Sequence, residues 1–258
     1  MLLPYSPDTK TVPEPNICKI RILIMQLYYA PDIDNETNEF VFDKEESKHI
    51  VKVLRKSEGS ILHITNGKGF LFVCEVILAS EKKCVVKIEE SKFTKARNFG
   101  IHMVVAPTKM NDRYEWFLEK AAEIGVDEIT PIICDHSERK IIKTERFDKI
   151  LISAMKQSNQ MYLPVLNEPI KLTDFLSKEI NGQKFIAHCE ETDKVELKDR
   201  IETQKNYTLL IGPEGDFSTN EINKALANGY LPVALGNTRL RTETAALVGC
   251  HTFVLANN

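Results

Sequence analysis

Residues 207–247 contain two consecutive units in which an apolar strand, a glycine-containing loop and a helix follow one another. In the first unit, the continuously apolar run 207–211 is typical of a strand buried on both faces of a parallel sheet. Ser218, followed three residues later by Glu221, predicts a helix that begins with a capping box, and Gly229 ends it. The unit therefore predicts a buried strand that leads through a tight turn into a helix amino terminus.

A second unit of the same plan follows directly. Residues 231–235 form its predicted strand, Gly236 begins its loop, and Thr242 is the predicted N-cap of the last helix. In an open α/β sheet, ligands bind beyond the carboxyl ends of the strands, where backbone N–H groups and helix amino termini converge. Two such loops side by side predict a ligand pocket.

The chain from residue 98 onwards alternates predicted strands and helices. Strands are expected at 101–106, 128–134 and 184–189, and the helices between them have apolar residues that repeat by threes and fours. Gly125 is expected to end the helix that precedes the strand at 128–134. This alternation is typical of an α/β protein with a mostly parallel sheet.

The first part of the chain has a different pattern. Short strands dominate residues 59–89, and an Asn-Gly pair at 66–67 between two apolar runs is a strong hairpin signal. We expect a small β-barrel-like domain over residues 25–95 and the α/β domain over residues 98–258. Residues 1–24, a polar segment with several prolines, are interpreted as an N-terminal extension.

Residues 45–56 predict an amphipathic helix within the first domain. Ser47, Ile50 and Leu54 fall on its apolar face. The opposite face is basic and carries Lys48, Lys52, Arg55 and Lys56. Such a face is either a solvated surface or a surface that contacts phosphates, and the sequence leaves both interpretations open.

The composition restricts the function further. The net charge is only −3 with 28% charged residues, so nucleic-acid binding must come from a local basic patch. The six cysteines lie far apart without a Cys-x-x-Cys pair, and the histidines lack metal-ligand spacing. No apolar run reaches the roughly 18 residues of a membrane span. We expect a cytoplasmic protein with reduced cysteines, no metal and no membrane association.

Several common catalytic and nucleotide-binding motifs do not occur. The sequence has no phosphate-binding loop of the form Gly-x-x-x-x-Gly-Lys-Ser/Thr and no Gly-x-Gly-x-x-Gly after a strand. It also has no Gly-x-Ser-x-Gly turn to present a nucleophilic serine. The predicted pocket is therefore expected to hold a ligand of another class.

The motifs at the two loops resemble those of the RsmE family, SPOUT-superfamily methyltransferases that modify N3 of a uridine in 16S ribosomal RNA. They are Ile-Gly-Pro-Glu-Gly at 211–215, Leu-Gly at 235–236 and Leu-Arg-Thr-Glu-Thr-Ala at 240–245. The resemblance covers the chain from about residue 25 to its end. Further matching positions are residues 123–126, Pro131, residues 138–139, 157–158, Pro164, His49, residues 53–55 and 66–67.

The resemblance implies a C-terminal SPOUT domain whose last strands form a deep trefoil knot, preceded by a PUA-like RNA-binding β-barrel domain. It also implies S-adenosylmethionine bound in the knot and a homodimer. The residues that it places against the cofactor are Leu210, Ile211, Gly212, Glu214, Gly215, Leu235, Gly236, Leu240, Arg241, Thr242, Thr244 and Ala245.

Methylation of N3 requires loss of a proton from the base and in-line attack on a methyl group. An enzyme can promote this reaction by holding the uridine and stabilising negative charge on it. Arg241 is the candidate for the electrostatic role, and Glu243 is the second residue expected to be catalytic. The alternative for Arg241 is a salt bridge to Glu243 or Glu214 that shapes the loop. His188 is either the proton acceptor or a structural histidine.

RNA contacts are expected from both domains. The candidate residues are His49, Lys52, Arg55, Lys56 and Arg139. The expected partner is 16S ribosomal RNA, either free or in the assembled small ribosomal subunit. Two other functions stay open: a SPOUT methyltransferase that acts on another RNA, and a catalytically silent RNA-binding protein.

Two positions depart from the family pattern. Asp216 follows Gly215 where the family commonly has a second glycine, which is tolerable if the backbone there keeps a negative φ. Gln160 stands where an arginine is usual. This second change leaves one RNA or interface contact of the family unaccounted for.

Overall fold

The computed structural model describes residues 25–190 and 193–258, and the predicted N-terminal extension lies outside them. The first part of the chain forms a five-stranded sheet in the order β1-β3-β4-β5-β2, in which β1 is parallel to β3 and the other pairs are antiparallel. Gly67 has a φ of 71°, as the predicted hairpin between β3 and β4 requires. The strands are β1 (Leu27–Tyr29), β2 (Glu39–Val41), β3 (Ile61–Thr65), β4 (Phe70–Ser80) and β5 (Lys83–Phe93).

The helix predicted over residues 45–56 is shorter than expected. Helix α1 (Lys44–Lys48) continues only as a π-helical turn, His49–Val53, and Arg55 then adopts a φ of 55°. The predicted buried face is nevertheless present, because Ser47 and Ile50 are fully buried. The length prediction was wrong because a left-handed residue cannot continue a right-handed helix.

The second part of the chain forms an eight-stranded sheet in which every pairing among the described residues is parallel. Seven strands follow the order β11-β13-β10-β12-β6-β7-β8, and β9 also pairs with β7. The strands are β6 (Ile101–Val105), β7 (Glu128–Ile133), β8 (Val165–Leu166), β9 (Ile170–Lys171), β10 (Gln183–Ala187), β11 (Val195–Glu196), β12 (Tyr207–Ile211) and β13 (Leu231–Ala234).

Helices cover both faces of this sheet. They are α2 (Asn111–Ile124), α3 (Glu145–Gln157), α4 (Leu172–Leu176), α5 (Thr219–Ala227) and α6 (Thr242–Asn257), with a short 3₁₀-helix at Leu197–Asp199. All five residues of β12 are buried, as its apolar sequence predicts. Leu209 faces the core on the α6 side, and Leu210 faces the core on the α5 side. A mixed α/β fold with a parallel sheet is confirmed.

The first domain contacts the second at the amino-terminal edge of the parallel sheet. Gly69 N–H donates to the Met161 carbonyl, which precedes β8, and Arg97 pairs with Asp127, which precedes β7. A Cβ atom at Gly69 would clash with the Tyr162 hydroxyl, so this close approach requires glycine. The carboxyl-terminal edge of the sheet is left to the loops that carry the predicted site.

Gln160 has a role within the chain. Its Nε2 donates to the carbonyl oxygens of Ala122 (2.6 Å) and Glu123 (3.0 Å) in the last turn of α2. Carbonyls at a helix end lack the regular helical partner, so the amide stabilises this end together with the left-handed residue Gly125, whose N–H also bonds the Ala122 carbonyl. Within the described ranges, no helix combines the length and the apolar character that crossing a bilayer requires.

Candidate active site

Four loops meet at the carboxyl-terminal edge of the parallel sheet, after β7, β10, β12 and β13. The Asp216 carboxylate accepts from the backbone N–H of Cys189 (2.6 Å), which ties the β12 loop to the β10 loop. The Thr242 hydroxyl donates to the Gly212 carbonyl (3.1 Å), which ties the start of α6 to the same turn. The structure therefore brings together the two glycine loops that the sequence predicted to form one pocket.

The capping box predicted at the start of α5 is present. Ser218 Oγ accepts from the Glu221 N–H, and Glu221 Oε2 accepts from the Ser218 N–H at 2.9 Å. Glu221 is buried, and its other carboxylate oxygen accepts from the Asp135 N–H in the β7 loop (2.9 Å). One carboxylate thus caps the helix and holds a neighbouring loop in place.

Glycine is required at two points of this edge. Gly236 has a φ of 107°, which L-residues with side chains rarely adopt. A Cβ atom at Gly212 would lie 3.1 Å from both the backbone nitrogen and the ring of Phe217. Gly236 is exposed and leaves its loop open to close approach by a ligand, whereas Gly212 is buried and allows Phe217 to pack against the turn.

The loops enclose two adjoining cavities. The first has a volume of about 370 Å³, and the second, of about 490 Å³, is also lined by Leu240 and Ala245. Predicted cofactor residues that line the first cavity are Ile211, Gly212 and Glu214 on the β12 side and Leu240, Arg241, Thr242 and Ala245 on the α6 side. Leu235 and Gly236 line the second cavity, and Thr244 lies at a neighbouring opening beside Trp116.

Three predicted cofactor residues lie outside these two cavities: Thr244 at the neighbouring opening, Leu210 and Gly215. The side chain of Leu210 is fully buried in the core on the α5 side of the sheet. Gly215 packs against His136, whose Nδ1 lies 3.0 Å from the Gly215 carbonyl oxygen. Leu210 and Gly215 therefore support the loops without lining either cavity.

Arg241 is the N-cap residue of α6 and has an exposed side chain. This position was predicted for Thr242, which instead begins the helix and uses its hydroxyl to bind Gly212. In the described part of the chain, no carboxylate lies within 4.0 Å of the Arg241 guanidinium. Glu214 instead accepts from the Lys109 N–H (3.0 Å). The alternative of a loop-shaping salt bridge is absent, so the guanidinium is available to a ligand.

Glu243 lies in the first turn of α6 and is 7% exposed. Its Oε1 is 4.0 Å from Nε of Arg113 on α2, whereas its Oε2 is buried without a hydrogen-bond partner among the described residues. A carboxylate near a helix amino terminus is stabilised by the helix dipole. Sequence reasoning missed Arg113, because only the packing of α2 against α6 brings it to the site.

His188 follows β10 and is 8% exposed. Neither of its ring nitrogens has a hydrogen-bond partner in the described part of the protein, and the side chain lines the second cavity. Burial, together with the nearby Lys194 ammonium, lowers the pKa of His188 below its usual value of 6.5. The imidazole is therefore neutral at physiological pH.

The structure does not bring all the predicted RNA-binding residues together. His49, Lys52, Arg55 and Lys56 lie in the first domain, where the first three are exposed and Lys56 is half-buried. Lys52 lies 3.7 Å from Glu81, a solvent-exposed pair that contributes little to stability. Arg139 lies in the loop after β7 and donates to the Ile141 carbonyl (3.2 Å). It therefore belongs to the edge that carries the cavities.

Asp216 has a φ of 63°, so the condition under which this departure from glycine was expected to be tolerable is not met. Its carboxylate compensates, because it accepts from the N–H groups of Cys189 (2.6 Å) and Phe217 (2.8 Å). We expect Asp216→Ala to lower the free energy of unfolding by about 1–2 kcal/mol, because it loses these bonds and keeps the left-handed backbone. Asp216→Gly should lie closer to the wild type in urea unfolding. Equal losses in the two variants would contradict this account.

No cluster of three or more His, Cys, Asp or Glu side chains suited to a metal ion occurs within residues 25–190 and 193–258. The polar groups that the described residues offer at this edge are backbone amides, the guanidinium groups of Arg239 and Arg241, a buried carboxylate and a neutral imidazole. These groups suit a polar organic ligand that approaches the backbone closely.

Comparison with known proteins agrees with this arrangement. An RNA methyltransferase domain matches residues 95–254, and an RNA methyltransferase PUA domain matches residues 42–89. The ribosomal RNA small subunit methyltransferase E of Buchnera aphidicola is 32% identical over 235 residues, 87% of this chain and 90% of that protein.

Two solved structures share the fold over nearly their whole length. A probable rRNA-methyltransferase from Porphyromonas gingivalis has a TM-score of 0.83 and 39% identity, over 90% of this chain and 99% of that chain. A putative methyltransferase from Legionella pneumophila, solved with bound S-adenosylmethionine, has a TM-score of 0.82 and 29% identity, over 90% of this chain and 98% of that chain.

Proposed function

Because the chain belongs to the RNA methyltransferase family, we propose that it transfers the methyl group of S-adenosylmethionine to N3 of a uridine in 16S ribosomal RNA. The observation that carries the proposal is the arrangement of the first cavity. The motifs at 211–215 and 240–245 face each other across it, and the Arg241 guanidinium at its wall has no partner in the described chain. A free cation beside a predicted cofactor pocket suits a reaction that develops negative charge on a base.

The cofactor residues are those of the two glycine loops. The open backbone around Gly236 offers hydrogen bonds to adenine, and the apolar side chains of Leu240 and Ala245 line both cavities. S-adenosylmethionine supplies an electrophilic methyl group when it is bound. Glu214 is exposed at the turn, and its negatively charged carboxylate favours binding of a positively charged sulfonium ligand.

The protein's own contribution to the reaction is positioning and electrostatics. Arg241 stabilises the oxyanion that forms on the uracil ring as N3 loses its proton. Glu243 and Arg113 lie behind it as a pair, at the point where α2 packs against α6. The pair fixes the start of α6 and therefore the position of Arg241. In this way the buried Glu243 carboxylate contributes to the reaction without contacting the base.

The threading of the last strands supports the knot that the family implies. Strand β13 lies beyond β10 in the sheet, yet α6, which follows it, packs back against α2, β6 and β12. The connecting residues 235–241 must therefore pass beside the loops after β10 and β12, with which they line the two cavities. We place the two domains at residues 25–95 and 98–258.

A homodimer is part of the proposal, with α6 and the outer face of α2 at its interface. Trp116, Val248 and Leu255 are 45%, 37% and 61% exposed and lie on these two helices. We expect Val248→Glu to produce monomers, measured by size-exclusion chromatography with light scattering, because it places a charge in an apolar contact. Leu226→Glu, at a similarly exposed leucine on α5, is the matched control and should stay dimeric. Dimers in both variants would exclude this face.

The basic turn of the first domain is proposed to contact RNA phosphates. We expect Lys52→Glu combined with Arg55→Glu to weaken RNA binding and to flatten its salt dependence, because fewer counterions are released. Lys171→Glu with Lys178→Glu, two exposed lysines of the second domain, gives the same change in net charge and should leave the salt slope unchanged. An unchanged slope in the first variant would remove this turn from the interface.

The direct test is mass spectrometry of 16S ribosomal RNA from cells that lack the protein. One 3-methyluridine should be missing, and expression of the wild-type chain should restore it. Methylation assays on free RNA and on assembled small subunits would then identify the form of the substrate. A complete modification pattern in the deleted cells would refute the proposal. Ribosomal RNA as substrate implies a cytoplasmic location.

A further inference from the structure

The side chain of His188 is buried with both ring nitrogens unpaired, which is costly. It is 8% exposed, and neither Nδ1 nor Nε2 has a partner within the described residues. A buried polar group without a hydrogen bond destabilises the folded protein. His102 of β6, a partly buried histidine, shows the usual solution, since its Nε2 lies 2.7 Å from the Thr130 hydroxyl. The free nitrogens of His188 therefore indicate a missing ligand.

His188 opens into the second cavity, the one of about 490 Å³. Leu235, Gly236, Leu240 and Ala245, all predicted cofactor residues, line the same cavity. The neighbouring backbone is held firmly, because Asp216 accepts from the N–H of the next residue. The imidazole is thus fixed at the wall of the proposed cofactor pocket.

The charges around His188 favour a neutral group as its partner. The Lys194 Nζ donates to the His188 carbonyl oxygen at 2.8 Å, and its positive charge lowers the pKa of the ring. The carboxylates of Asp216 and Glu190 act on this pKa in the opposite direction. A neutral imidazole presents one N–H donor and one nitrogen acceptor. Among the groups of S-adenosylmethionine, the ribose hydroxyls are neutral and can each both donate and accept. The adenine edge can be satisfied by the backbone of the glycine loops.

We propose that His188 binds the ribose 2′- and 3′-hydroxyls of the cofactor and so positions the adenosyl group, rather than accepting the proton from uridine. The assignment rests on the proposed function, because it places S-adenosylmethionine in this cavity. A proton acceptor must reach the base, whereas His188, the first residue after β10, is buried and faces the cavity that the cofactor loops line. His188 is therefore a positioning residue.

The test is calorimetry with S-adenosylhomocysteine and with its 2′-deoxy and 3′-deoxy analogues. We expect His188→Leu to bind S-adenosylhomocysteine roughly 10-fold more weakly, the loss that follows from one or two hydrogen bonds. The wild type should lose a similar factor with at least one deoxy analogue, and His188→Leu should show no further loss with that analogue. Such non-additivity shows that the ring and the hydroxyl contact each other.

The matched control is His102→Leu, which replaces a partly buried histidine near the amino-terminal end of β6, away from both cavities, and should leave the affinity unchanged. His188→Gln, which keeps a donor and an acceptor, should retain part of the affinity. Thermal unfolding without ligand should show that all three variants fold. The wild-type affinity should also fall as the pH is lowered through the pKa of His188, and this fall should be absent in His188→Leu.

Two results would overturn the proposal. If the losses from His188→Leu and from the deoxy analogues simply add, the ring does not contact the ribose. If affinity is unchanged in His188→Leu while methyl transfer is lost, His188 acts on the base instead. Failure of the wild type to bind S-adenosylhomocysteine at all would contradict the proposed function itself, and this outcome is distinct from both.

Discussion

Arg241→Ala should lower methyl transfer to 16S ribosomal RNA by roughly 100- to 1,000-fold, the loss typical of removing one charge-stabilising donor from an active site. The physical basis is that the guanidinium lies at the wall of the first cavity without a carboxylate partner in the described chain. Cofactor binding should be largely kept, because Arg241→Ala leaves the other residues that line the cavity in place. Single-turnover rates and calorimetry with S-adenosylhomocysteine separate the two effects.

Two further variants sharpen this test. Arg241→Lys keeps the positive charge but loses the planar donor fork, so it should fall between the wild type and Arg241→Ala. Arg200→Ala removes an exposed arginine from the end of the short 3₁₀-helix, away from the cavities, and should react at the wild-type rate. Wild-type turnover in Arg241→Ala would refute the catalytic assignment.

Phe253→Ala should lower the free energy of unfolding by about 3–5 kcal/mol. Phe253 is fully buried, and its ring stacks on Tyr207 of β12 with a centroid distance of 4.6 Å and an interplanar angle of 10°. It also contacts Phe185 of β10 at 5.8 Å. This residue therefore fastens α6, which carries Arg241 and Glu243, to the central strands.

The measurement is urea unfolding followed by circular dichroism. Asn223→Ala on α5 removes an exposed side chain and should change the stability by less than about 0.5 kcal/mol. Because Phe253→Ala loosens the helix that forms one wall of the cavity, its affinity for S-adenosylhomocysteine should also fall. A loss of stability below 1 kcal/mol would show that the cavity left behind collapses readily.

Much of the second domain could be predicted from local pattern. The strand at Tyr207–Ile211 has the predicted bounds, the capping box of Ser218 and Glu221 is present, and Gly125 ends α2 as a left-handed residue. These features succeed because each is decided by neighbouring residues. The helix predicted over residues 45–56 was too long, because the positive φ at Arg55 is set by the tertiary structure. The periodicity of apolar residues does not show it.

The residues of the site were predicted one by one, but several contacts between them were missed. The glycine loops and Arg241 were identified from motifs, whereas the pairing of Arg113 with Glu243 and the two backbone bonds of Asp216 depend on chain segments that are far apart in sequence. The sequence left open a salt bridge from Arg241 to Glu243 or Glu214, and in the described chain neither carboxylate lies within 4.0 Å of its guanidinium. Distance along the chain carries no information about which charges meet.

The sequence by itself determined the alternation of strands and helices, the two glycine loops and the family to which the chain belongs. Periodicity, capping residues and glycines act over a few residues, so they can be recognised without a fold. Only the tertiary structure decided that Arg241 has no carboxylate partner in the described chain and that His188 is buried with both nitrogens free. Burial and partner choice are set by packing between distant segments, and these two properties make the edge of a parallel sheet a candidate catalytic site.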